Sequence, residues 1–212
     1  MLRNPLFTLL CVAFSSASFA EAEWTPGGRG EGPGFTYQVF YTQVPDESFV
    51  RYEARGRVDA PPELLSAAVR TITSDPARAP KGQTRRILQA DDEAFVVHTR
   101  IDLPALFSDR DIVTRGVRRA EGEGLRIDWQ ATEHPAAPPS EGVIRIQKSA
   151  GFWSFAPAAD GTTEVVYASF VDVAGSLPGW LIDPLTEETV ARVFEDVAQE
   201  ALTDWPGAVA LP

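Results

Sequence analysis

Residues 183–202 read DPLTEETVARVFEDVAQEAL, and no other stretch restricts the possible folds as strongly. Asp183 predicts an N-cap, Pro184 suits the first helical turn, and Glu187 and Glu188 favour the positive end of the helix dipole. Val190, Val193, Phe194, Val197, Ala198 and Ala201 recur at three- and four-residue spacing, while Arg192, Glu195, Asp196 and Gln199 fall elsewhere. A helix with one apolar face must cover apolar surface, and nearly everything between residue 34 and this helix reads as strand. The pattern predicts a sheet that closes over one long terminal helix. For the stripe by itself, ordinary core packing is the plainest reading.

The strand signals are aromatic and β-branched runs separated by turn residues. Phe35–Val44 and Phe49–Val58 flank Pro45-Asp46-Glu47-Ser48 as a hairpin. Leu64, Leu65, Ala68, Val69 and Ile72 then predict a short helix that stops at Ser74-Asp75-Pro76. Strands are expected at 84–90, 93–103, 111–119, 125–132, 143–149, 151–157 and 162–173, with the proline-rich loop His134–Gly142 among them. About eight or nine strands with no regular strand–helix alternation give an antiparallel α+β fold.

The first twenty residues, MLRNPLFTLLCVAFSSASFA, carry Arg3, then an apolar run, then small residues ending at Ala20. They read as a secretory signal peptide cleaved after Ala20, which makes the protein an exported one, expected in the periplasm. Cys11, the only cysteine, leaves with the leader, so no thiol chemistry is expected of the mature chain. Residues 21–34, with the glycine-rich GGRGEGPG, are expected to be a flexible lead-in. They lack GxGxxG spacing and open no helix, so a phosphate loop is not indicated. One domain is expected over 35–205, with a short tail at 206–212. The net charge of −11 repels phosphate backbones and argues against a nucleic-acid partner.

Several stretches taken in order resemble the START (steroidogenic acute regulatory protein-related lipid transfer) domain family. They are Arg55-Gly56-Arg57-Val58-Asp59-Ala60-Pro61, Leu103-Pro104 followed by Ser108-Asp109-Arg110-Asp111-Ile112-Val113, and the hairpin of Gly151–Pro157 with Thr163–Tyr167. Gly175-Ser176-Leu177-Pro178-Gly179-Trp180-Leu181 is similar to the family's turn before the last helix. The resemblance covers residues 24–203. It implies a helix-grip fold, a curved antiparallel sheet wrapped round the C-terminal helix, enclosing a cavity for one lipid or other hydrophobic molecule. In sterol-binding members an arginine six positions after the motif arginine reaches the cavity. Here that position is Gly116, with Arg115 on the opposite face by strand alternation. The acidic partner expected on the preceding strand aligns with Thr99.

Given such a cavity, strand alternation and the helix stripe nominate Ile112, Thr114, Trp153, Phe155, Tyr167, Val190, Phe194 and Val197 as wall residues, and Arg145 as a polar contact. The adjacent Arg110 and Asp111 read as a rim or structural ion pair. A lipid hiding ~400 Å² of apolar surface would gain roughly 10 kcal/mol gross, before association costs of several kcal/mol. His98 and His134, the only histidines, form no metal motif, and no nucleophile elbow or catalytic carboxylate pair is evident. The expected activity is therefore binding, and by extension transfer, of one hydrophobic molecule, with no cofactor or metal and with transient contact at a membrane surface. A monomer is expected. Because related helix-grip proteins include cyclases and hydrolases, an enzyme acting on a hydrophobic substrate is the alternative, for which a buried acid near His98 without a structural partner would be the sign.

Overall fold

The structure, a computed structural model, describes residues 23–43, 49–173, 175, 177 and 187–203. The leader with Cys11, the Pro45–Ser48 turn, the cap at Asp183, the tail at 206–212 and most of the Ala174–Leu181 turn lie outside these residues.

In chain order the elements are β1 (Thr25–Gly32), β2 (Phe35–Gln43), β3 (Val50–Val58), α1 (Pro62–Ser74), a 3₁₀ turn (Pro76–Arg78), β4 (Gln83–Ala90), β5 (Ala94–Ile101), β6 (Asp109–Glu121), β7 (Gly124–Ala131), β8 (Val143–Arg145), β9 (Lys148–Pro157), β10 (Thr163–Asp172) and α2 (Glu187–Thr203). Nine of the strands form one sheet in the order β1-β2-β3-β10-β9-β7-β6-β5-β4, each antiparallel to its neighbour. The antiparallel α+β, helix-grip expectation describes this architecture.

Two local expectations are corrected. The glycine-rich segment assigned to a lead-in is β1, an edge strand paired with β2 across a register shift between Pro26 and Arg29. Its glycines leave room for the rings beneath: a Cβ on Gly30 would meet Tyr37, and one on Gly32 would meet Phe35. The single strand expected at 143–149 is two. Val143–Arg145 runs parallel to the start of β6, and after Ile146 the chain turns away so that β9 pairs with β10 and β7.

Both helices lie on one face of the sheet. Pro62 opens α1, Glu63 sits in its first turn, and its C-terminal cap Asp75 accepts the Ala77 N–H at 2.9 Å to start the 3₁₀ turn. α2 packs on β1, β2, β3 and β10, whereas α1 packs on β5, β7 and β9 and against α2. Between helices and sheet lies the main core, including Val39, Ala54, Val58, Leu65, Ile127, Phe155, Val165 and Phe194, each no more than 1% exposed. Glu187 at the start of α2 accepts the Gly28 N–H, and Glu195 accepts the Tyr37 hydroxyl at 2.5 Å. The apolar stripe thus fixes the buried face of α2, and two carboxylates fix its position along the sheet.

Candidate functional site

The strand register places the site. Arg118 donates to Ser66 Oγ on α1 at 3.0 Å, and Phe95 and Val97 belong to the main core, so even-numbered β6 residues face the helices. On this concave face Ile112 pairs with Thr99, Thr114 with Ala131, and Gly116 with Trp129. The row continues through Gly151, Ser169 and Tyr52.

The end of the concave face nearest α1 is closed by packing. Trp153 stacks on Phe155 with centroids 5.9 Å apart and approaches Phe194 at 6.4 Å, and Val190 and Val197 complete the contact. These residues, nominated as cavity walls, are at most 5% exposed and knit helix to sheet. The opposite end is not closed in the same way. Thr99, Ile112, Thr114, Trp129, Tyr167, Ser169 and Tyr52 are all half-buried.

Tyr167 lies within this half-buried end of the concave face, called the recess below. Its ring stacks on Trp153 at 4.3 Å, yet it keeps accessible surface. Burial pushes its phenol up, against a hydrogen bond with Ser169 that pulls the other way.

Aromatic rings cover two glycines of this face. Phe95 lies over Gly116, where a Cβ would fall 2.1 Å from Cζ, and Trp129 lies over Gly151, where a Cβ would fall 2.5 Å from Cζ2. The position compared with a sterol-site arginine is thus roofed by a phenyl ring, and the residue facing Gly116 across β5 is Phe95 rather than Thr99. Arg115 is exposed on the convex face.

Arg145 is not at the recess. β8 pairs in parallel with β6 so that Arg145 sits beside Asp111, and cross-strand partners share a face, here the convex one. Its guanidinium clamps Asp111 through Nε at 2.7 Å and Nη2 at 2.8 Å, and Nη2 also reaches the Ala137 carbonyl at 3.1 Å. His98 Nε2 lies 2.8 Å from Asp111 Oδ2, the oxygen that Arg145 Nη2 also reaches. Burial pushes the Asp111 carboxyl up, but hydrogen bonds from Arg145 and His98 outweigh it and hold the group below its usual range. The acid beside His98 therefore has a structural partner and faces away from the recess.

Arg110 and Asp111 are not partners of each other, because adjacent strand residues point to opposite faces. Arg110, 4% exposed, points inward and donates to the carbonyls of Ser108 and Val173, tying the start of β6 to the end of β10. The β5–β6 loop beside it is closed by Asp109, which accepts the Leu103 N–H at 3.0 Å and Arg100 Nη2 at 2.6 Å. Leu106, at the tip of this loop, is 92% exposed.

Residues 36–202 match the family model described as START domain. The chain belongs to the START domain family. The crystal structure of a STAR-related lipid transfer protein fragment from Xanthomonas axonopodis superposes with a TM-score of 0.67 at 21% identity, covering 84% of this chain and 98% of that one. Human STARD10 gives a TM-score of 0.66 at 18% identity, covering 89% and 77%. An uncharacterized protein of Pseudomonas aeruginosa is 28% identical over 116 residues, 55% of this chain and 57% of its own length. That match spans little more than half of the relative. As a START domain, the chain has a fold suited to holding a lipid or other hydrophobic molecule on its concave face.

Within this START domain, the sequence signal for the recess was alternation rather than motif. Trp129 is in phase with Leu125 and Ile127, and Ser169 with Tyr167, so both could be placed on the inner face. Thr99, Ser169 and Tyr52 join Thr114 only through pairing among β5, β6, β7, β9, β10 and β3.

Proposed function

We propose that this protein is exported to the cell envelope, where it binds one lipid or other hydrophobic molecule in the recess bordered by Ile112, Thr114, Trp129 and Tyr167 and carries it between membranes. The observation that supports this most is the half-buried row on an otherwise packed concave face. An apolar ligand there would lose its water-exposed surface, and at ~25 cal/mol/Å² a few hundred Å² outweighs the ordering cost of one small molecule. Export rests on the leader-like residues 1–20. Membrane contact rests on Leu106, a large aliphatic side chain held out on a loop braced by Asp109 and Arg100.

Native mass spectrometry of the protein purified gently from its own host, followed by denaturing lipid analysis, tests the reading. One stoichiometric species of a few hundred daltons supports a carrier. Protein that is always empty, and that takes up no sterol, fatty acid or phospholipid when offered them, overturns it.

A further inference from the structure

The charge of the concave face narrows the head group of its ligand, an inference that rests on the binding reading above. By strand alternation, the described strand residues facing the helices include three arginines, Arg85, Arg110 and Arg118, and no Asp or Glu. The chain as a whole carries a net charge of −11, so this inner face is opposite in sign to the molecule around it. Two carboxylates that α2 brings to the sheet are engaged: Glu195 accepts the Tyr37 hydroxyl, and Glu187 accepts the Gly28 N–H.

Arg85 is the arginine that register sets beside the recess. It stands on β4 opposite Thr99, which in turn stands opposite Ile112. It is half-buried, and its Nη1 donates to the Ile72 carbonyl near the end of α1 at 2.6 Å. Among the described residues its Nε and Nη2 meet no acceptor, and no carboxylate pairs with it. Asp75 is occupied elsewhere, accepting the Ala77 N–H at 2.9 Å and lying 3.7 Å from Arg78 Nε. Burial pulls the Arg85 guanidinium below the usual arginine range, and Asp75 only partly opposes this.

Folding has therefore stripped part of the hydration from a cation without giving it a counter-ion. The Ile72 carbonyl supplies a partial charge at a helix end, not a full one. A ligand anion would meet the unused donors in charge-assisted hydrogen bonds, roughly twice as strong as those a hydroxyl or ester could make.

We infer that the recess takes an acidic lipid, whose carboxylate or phosphate head pairs with Arg85 beside Thr99 while its chain runs over Ile112 toward Trp129.

Oleate, oleoyl lysophosphatidate and oleyl alcohol share a chain and differ in the head, a carboxylate, a phosphate and a hydroxyl. Each is offered separately to the delipidated protein in mildly alkaline buffer, where both acidic heads are ionised. Binding is read by native mass spectrometry and by the change in tryptophan fluorescence. At least one acidic lipid is expected to bind about tenfold or more tightly than the alcohol, and the tighter of the two identifies the head. Arg85→Met is expected to lower that acid-to-alcohol ratio about fivefold or more, with Arg85→Lys, which keeps the charge but not the planar fork, falling between Met and the parent. An alcohol that binds the parent as tightly as both acids overturns the inference. So does a loss shared equally by all three probes in Arg85→Met, which would assign Arg85 to holding the end of α1, or a ratio unmoved in both variants. Each of these results leaves the carrier reading standing. Failure of all three probes to bind the parent overturns the carrier reading itself.

Discussion

The far end of the Phe95 phenyl ring covers Gly116, so close that a Cβ there would sit 2.1 Å from Cζ, although Phe95 belongs to β5 and Gly116 to β6. Phe95 is 5% exposed and locked into the main core, so the ring has little room to give. Gly116→Val is expected to cost about 1–3 kcal/mol by overpacking, read as a lowered thermal midpoint. Unchanged stability would mean that the ring is looser than the packing implies.

The Asp111 clamp predicts acid sensitivity. Its carboxyl is held below the usual range in the folded state, so its contribution is complete above the unfolded value of ~3.9 and is lost as pH falls through the folded value. Urea midpoints between pH 2 and 7 are expected to drop on the acid side of about pH 4. Asp111→Asn flattens that limb and, by leaving Arg145 without its counter-charge, costs about 3–5 kcal/mol at neutral pH. An equally steep acid limb in the variant would assign the effect to other carboxylates.

Tyr37 carries the opposite sign. Burial, the Glu195 hydrogen bond and the charge of Glu195 push its phenol up to about 12. The bond contributes fully below the unfolded value of ~10 and is lost as pH rises toward 12. Ultraviolet titration near 295 nm is expected to show Tyr37 and Tyr167 ionising above the ordinary tyrosine range, and Tyr37→Phe removes the Tyr37 share of that late step, leaving that of Tyr167, at a cost of about 1–2 kcal/mol.

Leu106, 92% exposed, contributes no core packing. Leu106→Asp is expected to leave stability within about 0.5 kcal/mol of the parent. Co-sedimentation with lipid vesicles and the rate of lipid transfer between them should both fall severalfold. Parental behaviour in both assays removes this loop from membrane contact.

The chain's own pattern determined the buried face of α2, the bounds of most strands and the inward phase of Trp153, Phe155 and Tyr167, because those depend on residues two to four positions apart. It misplaced β1, whose glycines carry little hydrophobic signal and become a strand only because β2 offers an edge and the rings of Phe35 and Tyr37 need the space. It also misjudged Arg145. Alternation gives a side chain's phase but not its absolute face, and only the parallel pairing of β8 with β6 sets Arg145 against Asp111 on the convex side. The half-buried patch of Thr99, Thr114, Trp129, Ser169 and Tyr52 likewise exists only in the folded sheet. Its members are far apart in sequence, and register, a property of paired strands rather than of any one of them, decides that they share one face in neighbouring rows.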